Sequence, residues 1–205
     1  RVSVLDPRDG TVVHNDLNRH VVGGVGDARL SRAFPQDLVV SSDGRTLWVV
    51  AQGSAKVAVY STSDLEAGAA APSTDNQISL SAGGPAGIVL DEPNDRAYVL
   101  TRFDNGISSL SLSARAEVDH RRMFSPEPRE ITEGRRFLYD ATFSSENGTQ
   151  ECASCHIGGD NDQLAWDLGN PGGAGNDITQ LAADPEVLFT ASPEEIVQSR
   201  PLAGP

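Results

Sequence analysis

The chain has 205 residues, enough for one large domain or two small ones with a real core. Its 29 acidic and 16 basic residues leave a formal charge of −13, a surface that repels phosphate backbones and anionic lipid and argues against nucleic-acid or membrane-surface binding. A hydrophobic fraction of 38% argues against a wholly disordered chain, and 20 Gly and 12 Pro beside 5% aromatics point to short elements joined by many turns. No apolar run approaches the roughly 18 residues of a membrane helix. No basic-then-apolar leader follows Arg1.

In chain order, Arg1-Val2-Ser3-Val4-Leu5-Asp6 matches a pattern that returns at Lys56 to Ser61. Between and beyond these lie two segments that align at a constant offset of 50 residues, one running from Pro35 to Tyr60 and the other from Pro85 to Leu110. Leu38 pairs with Ile88, Val40 with Leu90, Trp48 with Tyr98, Val49 with Val99, Val57 with Ile107 and Tyr60 with Leu110. Short apolar runs and turn clusters repeating at this period are the pattern of a propeller or array.

Each repeat predicts four strands. In the first they are Asp37 to Val40, Thr46 to Ala51, Lys56 to Tyr60 and Gln77 to Ser81, with Ser42-Asp43-Gly44 as a hairpin turn whose Gly can take a positive φ. In the second they are Gly87 to Asp91, Arg96 to Thr101, Gly106 to Leu112 and about Ala116 to His120. Pro93-Asn94 there replaces the Asp-Gly turn. Asp43-Gly44-Arg45-Thr46-Leu47-Trp48-Val49-Val50 followed by Val57-Ala58-Val59-Tyr60 resembles the bacterial YVTN β-propeller repeat, with Trp48 in place of the usual tyrosine. That resemblance spans roughly residues 1–120 and implies about two and a half four-stranded blades. A closed propeller has about four to eight. The chain is therefore expected to be a fragment, or one polypeptide of an assembly in which another chain or segment completes the propeller. A small sandwich of two similar sheets is the plainer alternative.

The texture changes at Met123. Ser125-Pro126-Glu127-Pro128 breaks the strand pattern, and Ile131, Gly134 and Leu138, with Phe137 beside them, then recur at helical spacing. This predicts a helix from about Pro128 to Asp140 and a domain boundary between residues 123 and 124. The expected fold is an all-β set of four-stranded propeller-blade repeats over 1–123, an incomplete propeller, followed by a small mainly α cytochrome c-like domain over 124–205. A short helix is expected at Pro193 to Gln198.

Cys152-Ala153-Ser154-Cys155-His156 has the C-x-x-C-H spacing of covalent haem attachment. Two thiols three residues apart reach two vinyl groups of one haem, and the adjacent imidazole becomes the proximal iron ligand. A zinc site would need a further Cys pair or a nearby His, and a thioredoxin-like pair would need a βαβ setting. Neither is in the sequence.

Around this motif, Gly134 to His156 resembles the first haem segment of the di-haem cytochrome c peroxidase and MauG-like proteins. The resemblance implies that Gly134 lets its helix pack closely and that Phe137, Leu138 and Phe143 wall the haem, with Trp166 near its edge. It also implies an oxidising, extracytoplasmic compartment, periplasmic or extracellular. The chain departs from that family in holding one haem motif instead of two, and residues 157–205 contain no His, Met or Lys to serve as a sixth ligand. Met123 and His120 are the nearest candidates for the distal position, ahead of His14 and His20. A ligand from another chain or an open sixth site are the other cases.

Two weaker signals remain. Asp160, Asp162, Asp167 and Asp177 lie in Gly-rich loops where their oxygens could hold Ca²⁺, although solvated loop carboxylates are commoner. Asn147-Gly148-Thr149 fits a glycosylation acceptor only formally. The expected function is a c-type cytochrome carrying one haem in electron transfer, its acidic surface suited to a basic redox partner. The alternatives are a peroxidase or MauG-like oxidoreductase whose second haem lies elsewhere, and a propeller-based binding module with a subsidiary haem.

Overall fold

The computed structural model describes residues 1–156. Residues Arg1–Ser154 form one compact unit and Cys155–Pro205 a second. The expected boundary at 123/124 thus falls inside the first unit, which contains the helices that follow the strands.

The first unit is built on three antiparallel sheets. The first pairs β1 (Val2–Leu5) with β2 (Val12–Asn15). The second orders β3 (Pro35–Val40), β4 (Thr46–Ala51), β5 (Lys56–Ser61) and β6 (Gln77–Ser79) side by side. The third repeats that order with β7 (Pro85–Asp91), β8 (Arg96–Thr101), β9 (Gly106–Ser111) and β10 (Ala116–Arg122). Each four-stranded meander has the form of a propeller blade. A short helix, α1 (Thr62–Glu66), lies between β5 and β6 and has no counterpart in the third sheet.

The 50-residue repeat is reproduced down to its irregularities. A register shift separates Pro35 from Asp37 in the β3–β4 pair, and another separates Pro85 from Gly87 in β7–β8. Gly44 takes φ 72° in the β3–β4 turn and donates its N–H to the Ser41 carbonyl at 2.9 Å. In the second repeat a 3-10 turn at Glu92–Asn94 does the same work, and Asp95 takes the left-handed conformation. Ala55 and Asn105 form another left-handed pair, each just before its third strand. The N–H groups of Leu80 and Met123 donate to their respective carbonyls at 3.0 and 2.8 Å.

Packing follows the repeat. One face of the second sheet, with Trp48, Val50, Val57 and Val59, meets Ala97, Val99 and Leu110 of the third. Its opposite face, with Leu47, Val49, Ala58 and Tyr60, meets Val2 and Val4 of the first sheet, Leu17 and Leu65 of α1. β4 and β5 are therefore buried on both faces, which is why they read as unbroken apolar runs. β8 instead alternates, with Ala97, Val99 and Thr101 buried and Tyr98 and Leu100 exposed. Carboxylates stitch the second and third sheets together. Asp37 accepts from the Ile88 N–H at 3.0 Å, Glu92 from the Ser42 N–H at 2.9 Å, and Glu117 from the Ser81 N–H at 2.7 Å.

Leu110→Ala, in the seam between two sheets, is expected to destabilise the protein by about 2–5 kcal/mol. Leu100→Ala, on the exposed face, should cost about 0.5 kcal/mol or less. Urea midpoints at unchanged m-value measure both.

Candidate functional site

From β10 the chain enters α2 (Arg129–Tyr139) and α3 (Ala141–Ser144), close to the expected helix boundaries. The helices are tied to the sheets by particular bonds. The Asn105 side chain donates to the Phe124 carbonyl at 2.7 Å, and Arg135 donates to the Arg102 carbonyl at 3.1 Å while pairing with Glu127. Asp140 ends α2 and caps α3, accepting from the Thr142 N–H at 2.9 Å and the Thr142 hydroxyl at 2.6 Å. Beyond α3, Asn147 donates to the Gly24 carbonyl at 3.1 Å and accepts the Ser31 hydroxyl through its own carbonyl at 2.5 Å. The Asn147 side-chain oxygen also closes a turn with Thr149, so this segment is a local turn lying on loop 24–31.

The next residues carry the expected thiols. Glu151 is buried against Gly53, where a Cβ would stand 2.7 Å from its Oε2 and 2.9 Å from the Ala33 Cβ. Its Oε1 accepts from the Ser154 hydroxyl at 2.9 Å, and Oε2 has no hydrogen-bond partner among the described residues. Burial pushes the Glu151 carboxyl pKa up. Cys152–Ser154 forms a 3-10 turn in which Ala153 is buried and Cys152 exposed. Glu151 and Ala153 hold the turn inward, and the Cys152 thiol faces out. In the second unit Cys155 is half-buried and His156 exposed.

The first unit also contains a cavity of about 1020 Å³ lined by Phe103, His120, Met123, Arg136 and Phe137 among others. Three residues singled out from sequence, Met123, His120 and Phe137, are thus brought together. His120 is nonetheless committed elsewhere. Its Nε2 meets Asp104 Oδ2 at 2.7 Å and its Nδ1 meets the Ser108 hydroxyl at 3.0 Å. A Cβ at Gly106 would lie 2.5 Å from the ring, so a larger residue there would have to push the His120 ring or the Thr101 side chain aside. Burial alone would raise the Asp104 pKa, but hydrogen bonds from Thr101, His120 and Arg122 outweigh it and hold the carboxyl below its ordinary value. Ser, His and Asp stand in a row here, yet Ser108 is fully buried and can meet no substrate, so the row ties β10 to β9.

His14 and His20 are also engaged. His14 Nδ1 meets the Ser3 hydroxyl at 2.8 Å, and His20 Nε2 meets the Asp27 carbonyl at 3.1 Å. Phe137 and Phe143 are largely exposed and meet edge-on with centroids 5.8 Å apart, the Arg136 guanidinium lying 4.2 Å above the Phe143 ring. Among the described residues, a Cβ at Gly134 meets nothing within 4 Å. Trp166, the four aspartates proposed for Ca²⁺ and the helix at 193–198 lie outside the described residues.

Sequence reasoning missed Glu151, whose partner Gly53 is 98 positions away, and Lys56. Lys56 is buried, its Nζ donates to the Arg29 carbonyl, and burial together with Arg32 draws its pKa down to about 8.

No family model and no curated protein matches the chain. Among solved structures it is similar to hydrazine synthase of Kuenenia stuttgartiensis, at 19% identity and a TM-score of 0.45 over 62% of this chain and 31% of that one. It is also similar to the periplasmic gluconolactonase PpgL of Pseudomonas aeruginosa, at 15% identity and a TM-score of 0.45 over 62% and 36%. A putative 6-phosphogluconolactonase from Bacteroides uniformis matches at 13% identity and a TM-score of 0.41 over 60% and 36%. The chain spans about a third of each of these proteins.

The buried carboxyl makes stability depend on pH. With its folded pKa above the unfolded 4.5, Glu151 contributes fully below that pH, and the contribution is lost as pH rises through the folded value. Relative to the parent, Glu151→Gln should therefore gain stability progressively above pH 4.5. Urea midpoints across pH 4 to 8, at about half-unit steps, test this.

Proposed function

We propose that this chain is a c-type cytochrome, with one haem joined by thioethers to Cys152 and Cys155 and His156 as its proximal iron ligand. The single observation that carries this reading is the Cys152-Ala153-Ser154-Cys155-His156 segment, held with Cys152 and His156 exposed. Two thiols and an imidazole within five residues are the donor set that covalent haem needs. The exposed Phe137–Phe143 pair on α2 and α3 offers an aromatic wall of the kind a flat apolar macrocycle covers. When bound, the haem supplies a one-electron iron couple.

What the protein's own residues do is hold and orient. Glu151 and Ala153 anchor the turn so that the Cys152 thiol points outward. Of the distal candidates we favour Met123 over His120. Both imidazole nitrogens of His120 are already bonded, whereas Met123 lines the cavity with a partly exposed side chain. The −13 charge suits a redox partner with a basic docking surface, and the compartment follows from covalent haem attachment as extracytoplasmic. Among the described residues no helix is long and apolar enough to cross a membrane.

Protein matured with a haem-attachment system should give a pyridine haemochrome spectrum of two thioethers. Cys152→Ala or Cys155→Ala should shift its band to that of a single thioether, and the double variant should lose covalent haem. Met123→Ala should convert a low-spin iron to high-spin, while His120→Ala should lower stability and leave the spin state alone. Absence of haem from correctly matured protein overturns the reading. A high-spin parent iron that binds peroxide moves it to the peroxidase or MauG-like chemistry.

A further inference from the structure

Met123 stands just past the end of β10, and its backbone is held from the β8–β9 turn. The Met123 N–H donates to the Asn105 carbonyl at 2.8 Å, and the Asn105 side-chain amide donates to the Phe124 carbonyl at 2.7 Å. Among the described residues these are the hydrogen bonds that residues 123 and 124 make, and Asn105 supplies the partner in both. Packing adds little, since Met123 is 42% and Phe124 86% exposed. A methionine side chain has three rotatable bonds, so its sulfur is placed only as well as the backbone beneath it.

The first repeat shows what this place in the fold needs without the amide. Ala55 takes the same left-handed conformation as Asn105, φ 48° against 52°, and its carbonyl accepts from the Leu80 N–H at 3.0 Å. An alanine therefore makes both the turn and the backbone bond, and neither requires an amide at position 105. Leu80 is held instead by burial, being 9% exposed and packed into the core between the second and third sheets. Met123 has no such seat. Asn side chains in turns commonly bond their own backbone two residues on, whereas the Asn105 amide reaches a carbonyl 19 positions away.

We propose that Asn105 is a positioning residue for the sixth haem ligand, its amide bond to Phe124 keeping the Met123 thioether presented to the cavity that Met123 lines. This rests on the haem reading with Met123 in the distal position. A neutral sulfur is a weak donor, so its hold on a metal depends on how firmly the segment carrying it is kept in place. In the first repeat the sheet seam fixes the equivalent residue, and in the second the Asn105 amide does so while leaving the side chain accessible.

The test uses the full chain carrying covalent haem and measures how fast added imidazole replaces the sixth ligand, together with the spin state of the iron. Asn105→Ala places the residue of Ala55 at the equivalent turn, and Asn105→Asp keeps the shape but offers no donor. Both should retain two thioethers and raise the replacement rate about two- to tenfold, the worth of one ordinary hydrogen bond. Leu110→Ala, which loosens the sheet seam away from residue 105, should leave the rate at the parent's value. Parent-like rates in both Asn105 variants, beside a high-spin Met123→Ala, overturn the proposal and leave Met123 as the ligand. An equal rise in Leu110→Ala assigns the effect to general loosening and overturns it too. A high-spin parent, or a Met123→Ala iron that stays low-spin, removes the Met123 assignment and this role with it.

Discussion

Two-sided burial of β4 and β5 is the constraint on which the rest of the first unit depends. A strand buried on both faces draws mainly apolar residues, and Leu47 to Ala51 and Val57 to Tyr60 meet that demand with no charged side chain. Such strands are stable only while a sheet stands on each side. The first sheet with α1 supplies one side and the third sheet the other. The tight turns, the left-handed Ala55 and Asn105 and the matched register shifts keep the sheets in step, so that rows of residues 50 positions apart fall into equivalent places. Once that repetition is established, the third sheet keeps an outer row of Val89, Tyr98 and Leu100 that is exposed where the matching row of the second sheet is buried or partly buried.

The helical segment exploits the same platform. Its bonds are to turns between strands, at Gly24, Ser31, Arg102 and Asn105, and to the notch left by Gly53, so the segment ending at Cys152 rests on loops whose positions the sheets determine. Glu151 is an unusual anchor, since a carboxyl with one oxygen unpartnered among the described residues is costly to bury in its ionised form. It fits because Gly53 offers no side chain and Ser154 satisfies the other oxygen. This ties the geometry of the Cys152–Ser154 turn to the β4–β5 turn, and the proposed cofactor site to the repeat fold.

The Asp104–His120–Ser108 row shows how tertiary context reassigns a residue that sequence marks as chemical. In sequence His120 stands beside Met123 and ahead of a haem motif, which makes it a plausible donor to iron. In the fold it faces the interior of the third sheet, across from Ser108 in the β9–β10 register and within 2.7 Å of Asp104, and both nitrogens are used. Met123, three residues on, has passed the end of the strand and lines the cavity.

Sequence by itself determined the strands, the repeat and the C-x-x-C-H segment, because all three are local: alternation, turn residues and spacing act over a few positions. The strand and helix limits expected for β4, β8 and α2 agree with those observed to within a residue or so. The insertion of α1 escaped detection because its five residues are too few to show a period. Only the tertiary structure decided which apolar rows are covered, that His120 is spent while Met123 is not, and that Glu151 seats against Gly53. Each of these depends on which distant segments meet, and a contact between residues 53 and 151 leaves no trace in the spacing around either.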